Sequence, residues 1–235
     1  VIKPYTKDAD YSYVEGFFPT FELLKQHPEA LMMVYFSEDA ADSFGYKKIS
    51  ALVPPEKIIF SKNVFDRLAS KDNDHVIGVF RKYQDELNPT LPHVVLVNPS
   101  DQGNLGNIMR SMLAFGFKDL ALILPSADRF NPKTLRASMG AFFALRIQTF
   151  ESFAAYEEKY PRPYYPFMLD EKAKGLKEAE KPSGAYSLVF GNEATGLDKS
   201  FKNDRTVFIE QSSEVDSLNL STAVVIALYA FSRLK

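Results

Sequence analysis

His93-Val94-Val95-Leu96-Val97, running into Asn98-Pro99-Ser100-Asp101-Gln102-Gly103-Asn104-Leu105-Gly106-Asn107-Ile108-Met109-Arg110, decides the fold class of this 235-residue chain. An apolar run without polar alternation suits a parallel strand buried on both faces. Leu105, Ile108, Met109 and Met112 then recur at i, i+3, i+4 and i+7, which is one face of a helix. Asp119 to Leu124 (DLALIL) reads as the next strand. Further strands are expected at 145–149, 164–169, 186–190 and 206–209, with helical material between most of them, notably at 150–159. Strand and helix alternating in this way imply an α/β domain whose parallel sheet is covered on both faces.

Upstream, Arg81 to Pro92 (RKYQDELNPTLP) is polar and carries prolines at 89 and 92, so 81–92 reads as a linker. It separates a small α/β module at 1–80 from a larger domain at 93–235. In the module, Leu31 to Phe36, Lys57 to Phe60 and Val76 to Phe80 read as strands. A helix is expected from about Thr20, with Pro19 near its start, and another from an Asn63 cap to Leu68; 39–45 reads as a loop. Downstream, Glu171 to Lys181 reads as a solvated helix and loop. The segment from Ser217 to Lys235 is apolar on nearly every side between Thr222 and Tyr229. Such a helix is either buried under other elements or supplies a subunit interface, and a homodimer is expected.

Composition narrows the chemistry. Cysteine is absent, which removes disulfides, thiolate metal sites and cysteine nucleophiles. Three histidines, at 27, 75 and 93, have no metal-ligand spacing, so no metal is expected. No apolar run is long enough for a membrane span, and Val1-Ile2-Lys3-Pro4-Tyr5 has no signal-peptide core, so a cytoplasmic protein is expected. The net charge of −2 does not point to nucleic acid. Arg110, Arg129, Lys133, Arg136 and Arg146 nevertheless fall close together in sequence, in a stretch with few carboxylates.

Three segments lie just beyond strand ends, where open α/β sheets bind ligands. The first, 98–110, has glycines for a tight turn and ends on Arg110, which can offer a fork to phosphate or hold charge near a reacting hydroxyl. The second is Val189-Phe190-Gly191-Asn192-Glu193-Ala194-Thr195-Gly196-Leu197. A carboxylate between two glycines caps a helix or meets a ligand. The third is Ile209-Glu210-Gln211-Ser212-Ser213-Glu214-Val215-Asp216-Ser217-Leu218-Asn219-Leu220-Ser221, in which Ser217 and Asn219 share a short turn and Ser221 suits a helix N-cap. Neither a dinucleotide fingerprint nor a Walker pattern is present.

Together the three segments resemble the motifs of the SpoU/TrmH branch of SPOUT RNA methyltransferases. The resemblance rests on Asn104, Gly106 and Arg110, on F-G-N-E-x-x-G-L at 190–197 and on S-L-N-L-S at 217–221, with Arg136-Ala137-Ser138-Met139-Gly140-Ala141 between the first two. Tyr13-Val14-Glu15-Gly16 through Phe36 is similar, more weakly, to the ribosomal-protein-type RNA-binding module of many relatives. The resemblance implies an α/β catalytic domain with a carboxyl-terminal trefoil knot, preceded by a smaller RNA-binding domain. It implies S-adenosylmethionine as cofactor, methyl transfer to a ribose 2′-hydroxyl, a dimer, and structured RNA as partner, with ribosomal favoured over transfer RNA. By position, Val189, Phe190, Gly191, Asn192, Gly196, Leu197, Ile209, Gln211, Ser217, Leu218 and Asn219 would hold the cofactor. Arg110 would activate the hydroxyl, with Asn104, Glu193, Ser217 and Asn219 ordering the catalytic region. One departure stands out: the family commonly has isoleucine–proline–methionine where this chain has Ile209-Glu210-Gln211. That change leaves open an RNA-binding homologue with weakened catalysis.

Overall fold

A computed structural model of the chain describes residues 2–70, 74–170, 173–180 and 182–233. In chain order the first elements are β1 (Tyr11–Glu15), α1 (Phe17–Gln26), β2 (Leu31–Phe36), α2 (Phe44–Ser50), β3 (Ile58–Phe60), α3 (Lys62–Leu68) and β4 (Val76–Arg81). Next come β5 (His93–Val97), α4 (Gln102–Ala114), β6 (Asp119–Ile123), α5 (Pro132–Ser138), β7 (Arg146–Phe150) and α6 (Phe153–Lys159). The last are β8 (Tyr164–Pro166), β9 (Lys174–Gly175), β10 (Ser187–Phe190), β11 (Val207–Phe208) and α7 (Leu220–Arg233). Among the described residues no helix is long and apolar enough to cross a membrane.

The elements group into two units. One comprises Val1–Tyr83 with Asp128–Ala144, the other Gln84–Ala127 with Leu145–Lys235. A single cut at a linker over 81–92 does not describe this division, because Asp128–Ala144 packs with the amino-terminal strands. Aromatic burial explains why: Phe130, Phe142 and Phe143 close around Phe80 at 5.1–6.3 Å between ring centroids. Ser12 Oγ also donates to the Phe130 carbonyl at 2.6 Å.

The first unit is built on a four-stranded sheet ordered β1-β4-β2-β3, with β4 antiparallel to β1 and β2, and β2 parallel to β3. Tyr13, Val64, Leu68, Ile77 and Val79 form part of its core. Gly78 of β4 lets α1 lie close, since a Cβ there would stand 2.9 Å from Thr20 Cγ2. The chain leaves β1 through Gly16 at φ +93°, so α1 starts at Phe17, earlier than Thr20. Pro19 falls in the first turn, where a missing N–H costs nothing. The expected loop at 39–45 holds a 3-10 turn at Glu38–Ala40 and the start of α2, capped by Ser43 Oγ accepting from Tyr46 N–H. The N-cap position of α3 is Ser61, not Asn63, which lies inside the helix.

In the second unit five strands, all parallel, run in the order β7-β6-β5-β10-β8. From β5 the chain steps outward through β6 and β7, then crosses to fill the other side with β8 and β10. The order therefore reverses between β5 and β10, the place where such sheets open a crevice at their carboxyl ends. Val94, Val95, Leu96, Leu188 and Val189 are fully buried between the covering layers. At the opposite strand ends, fully buried Asp119 accepts from Arg146 Nε and Nη2 at 2.7 and 2.6 Å and from Asn88 N–H at 2.7 Å. Part of the segment read as solvated helix at 171–181 lies outside the described residues. The described part holds β9, paired with β11, and a 3-10 turn at Leu176–Glu178. Helix α7 buries Val224, Ala227, Leu228 and Phe231 at i, i+3, i+4 and i+7, while Tyr229 is half exposed. Within the chain it is therefore covered on one face rather than all round.

Candidate functional site

The loops after β5 and β10 are shaped by asparagines and glycines whose conformations few other residues could adopt. Asn98 ends β5 at φ +52°, a conformation asparagine tolerates, and its Nδ2 donates to the Leu124 carbonyl at 2.6 Å. Asn192 donates from Nδ2 to the Asn98 carbonyl at 2.7 Å and accepts at Oδ1 from Ala194 N–H at 2.8 Å. Gly196 N–H donates back to the Asn192 carbonyl at 2.9 Å, so residues 191–197 fold into a closed turn. A Cβ on Gly191 would lie 2.1 Å from the Gly196 carbonyl carbon, which leaves glycine as the residue that fits.

Glu193 ties this turn to the start of α4. Its Oε2 accepts from Ser100 N–H at 2.9 Å and from Ser100 Oγ at 2.8 Å, while Oε1 accepts from Asp101 N–H at 3.1 Å and Asn104 Nδ2 at 3.4 Å. Partial burial opposes the charged form, but the hydrogen bonds from Ser100 and Asp101 outweigh it and hold the carboxyl below its ordinary range. Asp101 caps α4 by accepting from Asn104 N–H at 2.7 Å. Glu193 thus acts as a cap in a longer-range form: it secures the residues at and just before the α4 N-cap.

The third loop joins through Asn219, whose Nδ2 donates to Asn104 Oδ1 at 3.1 Å. Asn219 Oδ1 accepts from Ser221 N–H at 2.9 Å and Ser221 Oγ at 2.8 Å. Asn219 is therefore the residue that caps α7, and Ser221 lies inside the helix, where its Oγ accepts from Asn107 Nδ2 at 3.1 Å. A continuous chain of side chains runs Glu193–Asn104–Asn219–Ser221–Asn107, linking all three loops. Sequence reasoning did not single out Asn107; its place one turn after Asn104 on α4 was the available signal.

Beside this network, at the carboxyl ends of β8 and β10, opens a cavity of about 720 Å³. Phe190, Gly191, Asn192, Glu193, Gly196, Leu197, Ile209, Gln211, Ser217 and Leu218 line it. Val189 is fully buried in the strand behind, and Asn219 stands in the network rather than in the lining. Sequence reasoning missed the wall contributed by Phe167, Met168, Leu169 and Asp170, and the two lysines Lys199 and Lys202. Lys202 Nζ bonds Asp170 Oδ2. Glu210 is exposed, outside the lining, with its carboxylate against Gly175 of β9.

Arg110 lies on α4 three residues beyond Asn107, with its side chain exposed and no hydrogen bond or ion pair to another described residue. It is not part of the cavity lining. The neighbouring basic residues differ from it. Arg146 is bound to Asp119, Arg129 is buried with Nη2 on the Tyr83 carbonyl at 3.0 Å, and Arg136 bonds Ser70. Three of the five cations grouped in sequence are thus engaged within the fold. Among the described residues no cluster of His, Asp and Glu side chains could hold a metal.

The profile of the SpoU rRNA Methylase family matches residues 92–229. The ribosomal RNA small subunit methyltransferase G 2 of Syntrophobacter fumaroxidans is 34% identical over 139 residues, 59% of this chain but 27% of that protein. The 23S rRNA (guanosine(2553)-2'-O)-methyltransferase RlmP of Bacillus subtilis is 26% identical over 187 residues, 73% of this chain and 70% of that protein. Other matches carry names that include transfer RNA. The SpoU methyltransferase AviRb of Streptomyces viridochromogenes, crystallised with AdoMet, superposes with a TM-score of 0.82 at 22% identity, covering 95% of this chain and 90% of that one. That likeness fixes the fold as the α/β fold of SpoU methyltransferases. With the three loop motifs inside the matched region, this chain belongs to the SpoU rRNA methylase family.

Proposed function

We propose that this protein transfers a methyl group from S-adenosylmethionine to a ribose 2′-hydroxyl of RNA, with ribosomal RNA as the target class. The observation that carries the reading is the side-chain network through Glu193, Asn104 and Asn219, which ties the three loops together beside one cavity, lined by the second and third of them, at the carboxyl ends of β8 and β10. The cavity suits a nucleoside-bearing cofactor in size and chemistry. Its volume of about 720 Å³ falls in the usual range for small-molecule sites. Apolar Phe167, Leu197, Ile209 and Leu218 would flank an adenine, and the backbone of 190–197 would supply polar groups to the rest. Lys199 supplies positive charge at the same cavity, fitting a carboxylate, while Lys202 is paired with Asp170 of the wall.

The bound cofactor would supply a methyl made electrophilic by its sulfonium, with no metal required. The residues of this chain align and stabilise. Glu193 is a poor candidate for a proton acceptor, because its oxygens already accept four hydrogen bonds and its carboxyl is held below its ordinary range. It is a positioning residue that fixes the start of α4. Arg110, a guanidinium without partners among the described residues, would stabilise developing negative charge on the ribose oxygen and the adjacent phosphate. It would not act as a base. The position of Glu210 outside the lining gives no support to a disabled pocket.

The amino-terminal unit is read as the RNA-gripping domain, and a homodimer through the second unit, acting in the cytoplasm, completes the proposal. Tyr229 of α7 is 50% and Leu113 of α4 36% exposed, beside the half-buried Val225 and Ile226. Calorimetric titration with S-adenosylmethionine and S-adenosylhomocysteine tests the cofactor reading. Saturable binding at one site per chain is expected; no heat at millimolar ligand would overturn it.

A further inference from the structure

The first unit displays an aromatic cluster that its core does not use. Phe18 of α1 and Phe44 of α2 are 68% and 67% exposed. The half-buried Phe17 stands between them, its ring centroid 5.3 Å from Phe18, 5.8 Å from Phe44 and 5.5 Å from Phe21. Leu52, just beyond α2, is 56% exposed. Single exposed apolar residues are ordinary, but rings gathered from two helices into one surface patch mark a binding site.

The charges around the rings say what kind of partner fits. Lys48 holds its ammonium 5.6 Å from the Phe44 ring centroid, and Lys47 precedes it in the last turn of α2. Both lysines are exposed, and neither has an ion-pair partner among the described residues. Lys25 follows Phe21 by one helical turn and is 3.9 Å from Glu22. Asp42, exposed two residues before Phe44, is the acid nearest in sequence on that side. Protein interfaces deplete lysine among their central aromatics. Surfaces for single-stranded nucleic acid combine aromatic faces for bases with cations for the backbone.

We propose that Phe18 and Phe44 are stacking platforms for unpaired bases of the RNA substrate, with Lys47 and Lys48 meeting the phosphates beside them. This rests on the reading of the protein as an RNA-modifying enzyme and adds where it grips unpaired nucleotides. Both rings project from helix surfaces, so their replacement leaves the core intact. The chain contains no tryptophan, so Phe18→Trp introduces a single fluorescent reporter at the patch.

The test titrates Phe18→Trp protein with decameric oligouridylate and oligoadenylate, against a blunt RNA duplex. In parallel, filter binding compares wild type with Phe18→Ala/Phe44→Ala, and calorimetry follows S-adenosylmethionine binding in both. Expected are fluorescence quenching by the single strands, little by the duplex, and single-strand affinity weakened about 5- to 150-fold per stacked base. Cofactor binding should be unchanged. Equal RNA affinity in wild type and double variant would overturn the platform while leaving the methyltransferase reading standing. A wild type that binds cofactor but neither single strand would also overturn the platform. Self-association that the double variant abolishes, with no quenching by RNA, would make the patch a protein interface and overturn it as well.

Discussion

Replacing Glu193 by alanine removes one acceptor from four donors at once: Ser100 N–H, Ser100 Oγ, Asp101 N–H and Asn104 Nδ2. Three of these bonds are 3.1 Å or shorter. At roughly 1 kcal/mol net for each, the ceiling is about 3 kcal/mol. The site is only partly buried, so water rehydrates the freed donors and about 1–2 kcal/mol is expected. For a chain of this size that is a fall of about 2–8 °C in the melting temperature. Scanning calorimetry reads it in the transition that S-adenosylmethionine raises, which isolates the unit carrying the cavity. The same carboxylate gives a pH signature. Its folded pKa is depressed, so its contribution is complete above the ordinary carboxylate value near 4.5 and disappears as pH falls through the lower folded value. Glu193→Gln should flatten that part of the stability profile. A melting temperature unchanged in Glu193→Ala, with wild-type cofactor affinity, would refute the role assigned to Glu193.

Other outcomes come from the same geometry. Arg110→Ala, on an exposed side chain without partners among the described residues, should keep stability within about 0.5 kcal/mol and retain cofactor affinity. Its methyl transfer should fall by about 100-fold or more in single-turnover assays. Gly191→Ala pushes a methyl group into the Gly196 backbone and should abolish cofactor binding by calorimetry while far-ultraviolet circular dichroism stays near wild type. His93 is fully buried and its pKa is pushed down to about 4 by desolvation, so it should titrate near there by NMR. Because the unfolded chain binds a proton on this imidazole from about 6.5, stability should decline as pH falls from about 6.5 towards 4.

The sheet of the second unit was the most legible part of the sequence. β5 and β6 matched their apolar runs to within a residue, because strands buried on both faces need no alternation to be recognised. β1 went unread as a strand, since Tyr11-Ser12-Tyr13-Val14-Glu15 buries a serine on the Phe130 carbonyl and a glutamate among donors. α2 hid behind Gly45 and an exposed Phe44, which carry no helical periodicity over seven residues. The allegiance of Asp128–Ala144 to the first unit depends on aromatic packing with Phe80, a tertiary fact that local pattern does not record. At the site, the three loops were visible as punctuated polar turns after apolar runs. The wall at 167–170 was not, because Phe167 and Met168 read as strand core; only the pairing of β8 with β10 brings them to the cavity. The sequence also grouped five cations that the fold uses for different ends, leaving Arg110 exposed and binding Arg146 to Asp119.

The most direct test of the central claim is to incubate the protein with methyl-tritiated S-adenosylmethionine and ribosomal RNA, then digest the RNA with alkali. A methyl on the ribose 2′-oxygen blocks cleavage of the adjoining phosphodiester, so the account predicts tritium in alkali-resistant dinucleotides, lost in Arg110→Ala. Tritium confined to mononucleotides would mean methylation of a base, and would contradict the assignment of the ribose hydroxyl as acceptor.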